Sequence, residues 1–312
     1  MSHGLRCTGA APVVVGANGF IGARLCEAFQ DSGTGRLTRE QPAVLDSGLH
    51  PALSGADVVF YLATTINPAL ADQYPERVRA DQDMFVRLLD GLAGLADPPL
   101  VVYPSSGGAI YDPSAPLPFV ERGTPAVPVT AYGRAKLVME KELRRRQDAV
   151  PSVILRLSNV YGPGQLPIRG QGVVAHWMHA MLTGQQIRLF GDPGAIRDYV
   201  YVDDVVEAML DVRGMWLAGE SLPPVMNIGS GEQTSLQDLV QAVQTAMAEA
   251  MRVETAPGRK FDRRDAVLDV GLAADTLGWR PRTKLADGLA ASWAWISGPG
   301  FARANSAVEA ER

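Results

Sequence analysis

Tyr132 and Lys136 stand four residues apart in AYGRAK, a spacing that puts both side chains on one face of a helix. A free phenol ionises near pH ~10 and is a poor base at neutral pH, but a neighbouring ammonium favours the phenolate. Such a pair can exchange a proton with a hydroxyl while that carbon is oxidised or reduced. Tyr-x-x-x-Lys also recurs by chance, so the reading needs an independent signal that redox chemistry is at hand.

That signal is the run Gly16-Ala-Asn-Gly19-Phe-Ile-Gly22, which leaves the apolar stretch APVVV and enters helical spacing at Leu25 and Phe29. In this context the first glycine permits a tight turn, the second lets the backbone approach a pyrophosphate, and the third allows close packing of helix on strand. The free N–H groups at the helix start face the anion. Gly16, Asn18, Gly19, Phe20, Ile21 and Gly22 are therefore expected around a dinucleotide, whose cationic nicotinamide would favour the Tyr132 phenolate further. Glu40 lies eighteen residues past Gly22, near the usual distance for an acid that holds the adenosine ribose. An acid there favours NAD; Arg39 beside it would instead meet a 2′-phosphate. Asp46 reads equally as an adenine-side contact or as a solvent-facing loop aspartate.

These residues need a scaffold. Apolar runs at 11–15, 56–64, 98–106 and 150–162, with a weak polar one at 35–40, alternate with helical patterns at 76–92 and 130–147. That alternation predicts an α/β fold, a Rossmann-type doubly wound parallel sheet. Ligands gather at the carboxyl edge of such a sheet, which places Leu62, Ala63 and Thr64 beside the cofactor and Ser105 and Ser106 near the oxygen that Tyr132 serves. Turn capping would account for either serine as well. After Tyr161 the Gly- and Pro-rich stretch 161–172 reads as a loop over the site, followed by shorter mixed elements. The expected organisation is a dinucleotide-binding domain over 10–162 with returning segments near 190–230, a smaller substrate-binding lobe over 163–296, and a flexible tail from 297 to 312.

Composition narrows the rest. With 46% hydrophobic and 20% charged residues the chain is globular. Its 34 acidic against 29 basic residues offer no invitation to nucleic acid or an anionic membrane. Two cysteines make a disulfide framework improbable, and neither a secretion signal nor a membrane span is evident, so a cytoplasmic location is expected and no metal is called for.

The segments GANGFIG, SSGGAIYD, AYGRAK, LRLSNVYGPGQ, RDYVYVDDV, NIGSGE and LGWRP occur in order along almost the whole chain. In this set it resembles the extended short-chain dehydrogenase/reductase family, in particular its NAD-dependent nucleotide-sugar epimerase/dehydratase group, and within that the sugar-nucleotide 4-epimerases. The resemblance implies NAD as cofactor, a UDP-linked sugar as substrate and a homodimer built on helices such as 76–92 and 130–147. It makes Tyr132 the catalytic tyrosine and Lys136 the ligand of the nicotinamide ribose. Asn159 would touch substrate phosphate or sugar, Gly172, Val173, Leu189 and Phe190 the nucleotide, and Arg197 and Arg259 the diphosphate. Either arginine would otherwise pass for a surface residue. Many relatives carry a catalytic Ser or Thr four residues before the Tyr of VYG; here that position, at the sugar, is Gly107, with Ser106 the nearest replacement. Asp112 stands where glycine usually follows. A 4,6-dehydratase would resemble Thr-Asp-Glu at 107–109, where this chain has Gly-Gly-Ala, so 4-epimerisation is the expected activity. An NAD(P)H-dependent 4-ketosugar reductase, using the same Tyr and Lys, is the alternative.

Overall fold

A computed structural model describes residues 10–30, 33–168, 170–258, 265–302 and 304. Short Val-rich runs form β1 (Ala11–Val15), β2 (Gly35–Leu37), β3 (Ala56–Tyr61), β4 (Leu100–Ser106) and β5 (Ser152–Leu157). With β9 (Val225–Ile228) they build one parallel sheet in the order β2-β1-β3-β4-β5-β9. From β1 the chain steps outward to β2 and then returns past β1 to β3. The strand order therefore reverses between β1 and β3, and a crevice opens there at the carboxyl edge.

Alternation along each strand divides the core between the two faces of the sheet. Val14, Val58, Phe60, Val102 and Leu155 pack against α1 (Phe20–Ala28) and α5 (Val202–Leu217). Val13, Val59, Val101, Tyr103 and Ile154 pack against α2 (Pro75–Ala93) and α3 (Ala131–Arg145). Both faces are covered, which is why these strands are near-continuously apolar.

The run expected as a single strand over 150–162 is broken at Ser158. Its second piece, β6 (Asn159–Tyr161), leaves the main sheet to pair in parallel with β8 (Tyr199–Tyr201). Beyond it a smaller C-terminal region closes on its own core. Trp177 and Met178 of α4 (Val173–Leu182), Leu189 of β7 (Ile187–Phe190), Val243 of α6 (Leu236–Met247) and Leu289 of α7 (Leu285–Ile296) meet there. Strand β10 (Val253–Ala256), not evident from sequence because three of its four residues are exposed, pairs with β7. The tail expected to be loose from 297 is docked further than that: Phe301 is buried in this core, 5.5 Å from the Trp295 ring.

Several motifs that stood out in the sequence tie these pieces together. The buried Asp198 carboxylate accepts from the Ser230 N–H and hydroxyl and from the Leu268 N–H, clasping RDYVYVDDV to NIGSGE and to the segment before α7. Trp279 of LGWRP donates its indole N–H to the Asp204 carbonyl. Among the described residues no helix is long and apolar enough to cross a membrane.

Candidate active site

A cleft of about 1060 Å³ runs from the β1/β3 reversal to the C-terminal region. Its near end is shaped by the glycine loop. Gly16 has φ +91°, and a Cβ there would lie 2.7 Å from the Ala63 backbone N, so only glycine lets the loop close against the end of β3. A Cβ at Gly22 would come 2.2 Å from the Gly16 carbonyl oxygen, so α1 rests on the loop itself. The N-cap Gly19 places no side-chain oxygen over the first turn of α1, leaving its N–H groups to a ligand. Phe20, Ile21, Leu62, Ala63 and Thr64 border the cleft; Asn18 is exposed at the loop tip.

The start of α3 is placed with similar economy. Thr130 caps it by accepting from the Gly133 N–H at 3.1 Å. A Cβ at Gly133 would sit 2.2 Å from the Ala109 carbonyl, so the glycine inside AYGRAK is what brings the helix, with Tyr132 on it, against the turn after β4. Deeper along α3, Arg156 of β5 forms a two-pronged pair with Glu140 at 3.0 and 2.7 Å, both side chains buried.

Tyr132 and Lys136 both line the cleft. The Lys136 ammonium donates to the Pro104 carbonyl at 3.2 Å and lies 4.9 Å from the Tyr103 ring and 5.8 Å from the Tyr132 ring. Burial pushes the Lys136 ammonium down to about 8, against the opposing pull of Asp81 and Glu140. Burial likewise pushes the Tyr132 phenol up to about 12. Burial, rather than the lysine, governs the phenol in the ligand-free cleft.

Asp81 escaped sequence reasoning. Its buried carboxylate accepts from the Thr64 hydroxyl (2.9 Å), the Thr65 N–H (2.8 Å) and the Thr65 hydroxyl (2.7 Å), holding the loop after β3. The available signal was an acid four residues before Phe85 on the apolar stripe of α2. Arg188 was missed as well. Alternation along β7 turns Leu189 into the C-terminal core, so the expected nucleotide contact at Leu189 is corrected, while Arg188 and Phe190 border the cleft.

Asn159, Gly172, Val173 and Arg197 line the cleft. Asn159 donates its amide to the Asp198 carbonyl at 2.9 Å, and Gly172 takes the left-handed conformation, φ +77°, that starts α4. Glu40 lies beyond β2, exposed, accepting from the Thr38 hydroxyl at 2.6 Å, which holds its carboxyl below the ordinary range. Asp46 is exposed in the turn between Val44–Leu45 and Gly48–Leu49. Neither acid forms part of the cleft wall, and Arg259 is outside the described residues. Ser105 and Ser106 both line the cleft, whereas Gly107 does not: a Cβ there would come 2.6 Å from both Leu268 methyl groups. Asp112, in place of the usual glycine, accepts from the Ser114 N–H and hydroxyl at 2.8 and 2.6 Å, an ordinary turn.

With this geometry in hand, comparison with known proteins is informative. The family model described as "NAD dependent epimerase/dehydratase family" matches residues 13–229. The chain is 32% identical over 305 residues to a UDP-glucose 4-epimerase of Mycolicibacterium smegmatis, covering 89% of this chain and 96% of that one. It is 30% identical over 310 residues to a dTDP-6-deoxy-L-talose 4-dehydrogenase (NAD(P)(+)) of Kitasatospora kifunensis, covering 90% and 93%. Among solved structures, the UDP-glucose 4-epimerase of Thermus thermophilus in complex with NAD superposes with a TM-score of 0.78 at 27% identity, over 93% of this chain and 99% of that one.

Proposed function

The chain belongs to the NAD dependent epimerase/dehydratase family, and from that premise we propose that it is an NAD-dependent nucleotide-sugar 4-epimerase acting on a UDP-hexose or UDP-N-acetylhexosamine. The observation that carries the reading is one cleft lined together by Phe20 and Ile21 of the glycine-loop segment, by Tyr132 and Lys136, and by Arg188 and Arg197. The residues fit NAD: Gly16 lets the loop close tightly against the end of β3, and the start of α1 that follows it carries no side-chain cap. Bound there, NAD supplies a reversible hydride acceptor and the positive charge that the Tyr132 phenol lacks.

Tyr132, as phenolate, takes the proton from the sugar 4-hydroxyl as the C4 hydride leaves, and the C4–O bond becomes a carbonyl. Lys136 holds positive charge beside the tyrosine. Arg188 and Arg197 hold the diphosphate, so the 4-keto sugar can turn about its link without leaving. NAD held there would take and give back the same hydride, while Tyr132 returns its proton to the same oxygen, so the product is the C4 epimer with no net use of cofactor. The chain works in the cytoplasm as a homodimer through α2 and α3, where Val138 is exposed on α3. A net 4-ketosugar reductase is the second reading, favoured by Arg39 beside Glu40 and by the similarity to a 4-dehydrogenase.

Purified protein should interconvert UDP-glucose and UDP-galactose, or their N-acetyl forms, with only the NAD it retains. NMR is needed to distinguish the equal-mass epimers. Tyr132→Phe should lower turnover roughly 10²–10⁴-fold while retaining nucleotide. Strict dependence on added NADPH and a keto-sugar would replace the epimerase with the reductase, and unchanged turnover in Tyr132→Phe would remove the tyrosine from the mechanism.

A further inference from the structure

Gln165 belongs to the Gly- and Pro-rich stretch after β6 and lines the cleft, yet it is only 7% exposed. One end of its amide is held: Nε2 donates to the Val160 carbonyl at 2.9 Å. A carbonyl can only accept, so that bond fixes which end of the amide carries the oxygen. Oε1 is therefore the free end, and among the described residues this buried oxygen has no hydrogen-bond partner. Gly172, at the start of α4, bounds the amide from another side. A Cβ there would stand 3.0 Å from the Gln165 Cδ and 3.2 Å from both Nε2 and Oε1, so the glycine leaves the space that the amide fills.

The chemistry of the unpaired atom selects its ligand. An amide oxygen accepts and cannot donate, so it offers nothing to a phosphate or a carboxylate, which are acceptors themselves. A hydroxyl suits it. Leaving a buried acceptor unpaired is costly, and a donor arriving with the ligand removes that cost. The course of the chain indicates which part of a nucleotide sugar brings the donor. Leu157, Ser158, Asn159 and Val160 all line the cleft as the chain leaves the carboxyl end of β5. Val160 stands three residues beyond that end, roughly 10 Å at ~3.3 Å per residue. On its other side the amide meets the first turn of α4, which has no side-chain cap and whose N–H groups suit the diphosphate. The group next to the diphosphate on the way to Tyr132 is the sugar.

We propose that Gln165 is a specificity-determining residue whose Oε1 accepts a hydrogen bond from a sugar-ring hydroxyl that takes no part in the redox step. The proposal rests on the nucleotide-sugar reading of the preceding section. The bond is made only when the sugar is bound, so it adds nothing to the affinity for UDP alone.

The test crosses enzyme with substrate. NAD-loaded wild type, Gln165→Met and Gln165→Leu are each titrated with UDP, UDP-glucose and its 2-, 3- and 6-deoxy analogues, and kcat/KM is measured alongside. In wild type one of the three analogues should bind roughly 10–100-fold more weakly than UDP-glucose. In both variants that gap should close to within about twofold, with UDP affinity and retained NAD near wild type. The same gap in wild type and variants, or no weakened analogue in wild type, overturns the proposal. Should loss of the bond to Val160 loosen the loop, all ligands weaken together, and the ratio within each variant still decides. Wild type that binds UDP-glucose without turning it over would sink the epimerase alone, because the affinity ratios remain measurable.

Discussion

At the scale of single residues the site is governed by burial more than by pairing. Lys136 is near Tyr132, but its hydrogen bond goes to the Pro104 carbonyl and its ammonium is driven down to about 8. The linkage follows from that direction. The folded-state value lies below the ordinary 10.5, so the folded chain binds fewer protons than the unfolded one between those values, and stability rises with pH across that window. The burial penalty is fully present below about pH 8. Lys136→Met should therefore gain stability over wild type by on the order of a few kcal/mol at pH 7 in ligand-free protein. The gain should shrink as pH approaches 10.5. Urea unfolding of both proteins across this range checks it; a difference independent of pH would mean that burial does not move the amine away from its unfolded-state value.

At the scale of elements, what matters is how α3 is held, because it carries both Tyr132 and Lys136. Gly133 sets its approach to the turn after β4, and the Glu140–Arg156 pair ties its middle to β5. Arg156 is 3% exposed and also lies 4.7 Å from the Tyr111 ring, so removing its partner strands a buried cation. Glu140→Ala is expected to cost about 3–5 kcal/mol in unfolding free energy. Replacing both partners with apolar residues, Glu140→Leu with Arg156→Met, should cost much less, since no charge is then left behind. Equal losses in the single and double variants would mean that the pair contributes packing alone.

At the scale of the whole molecule, the cleft belongs to two cores: the sheet presents the glycine loop and α3, and the C-terminal core presents β7 and the start of α4. Phe301 closes that second core against Trp295 and, at 5.4 Å, His179 of α4. Phe301→Ala should cost about 3–5 kcal/mol. The loss should fall on the C-terminal core, raising KM for the nucleotide sugar while the retained NAD stays near wild type. Loss of NAD together with substrate affinity would show that the two cores do not respond separately.

The residues that the sequence identified on its own are those whose chemistry is local. Gly16, Gly19 and Gly22 reveal a turn and a helix start within seven positions, Tyr132 and Lys136 share one helical face, and the apolar runs of a doubly covered sheet are legible because both faces must be filled. Tertiary structure decided whatever depends on a partner distant in the chain. Asp81 reads as a misplaced acid until Thr64 and Thr65 meet it, and Leu189 reads as a contact until the pleat of β7 turns it inward. Ser105 and Ser106 are adjacent in sequence and chemically identical. They become different only when β4 pairs with β5 and one face of the sheet receives α3, because a strand sends neighbouring side chains to opposite sides and only packing determines which side holds the site.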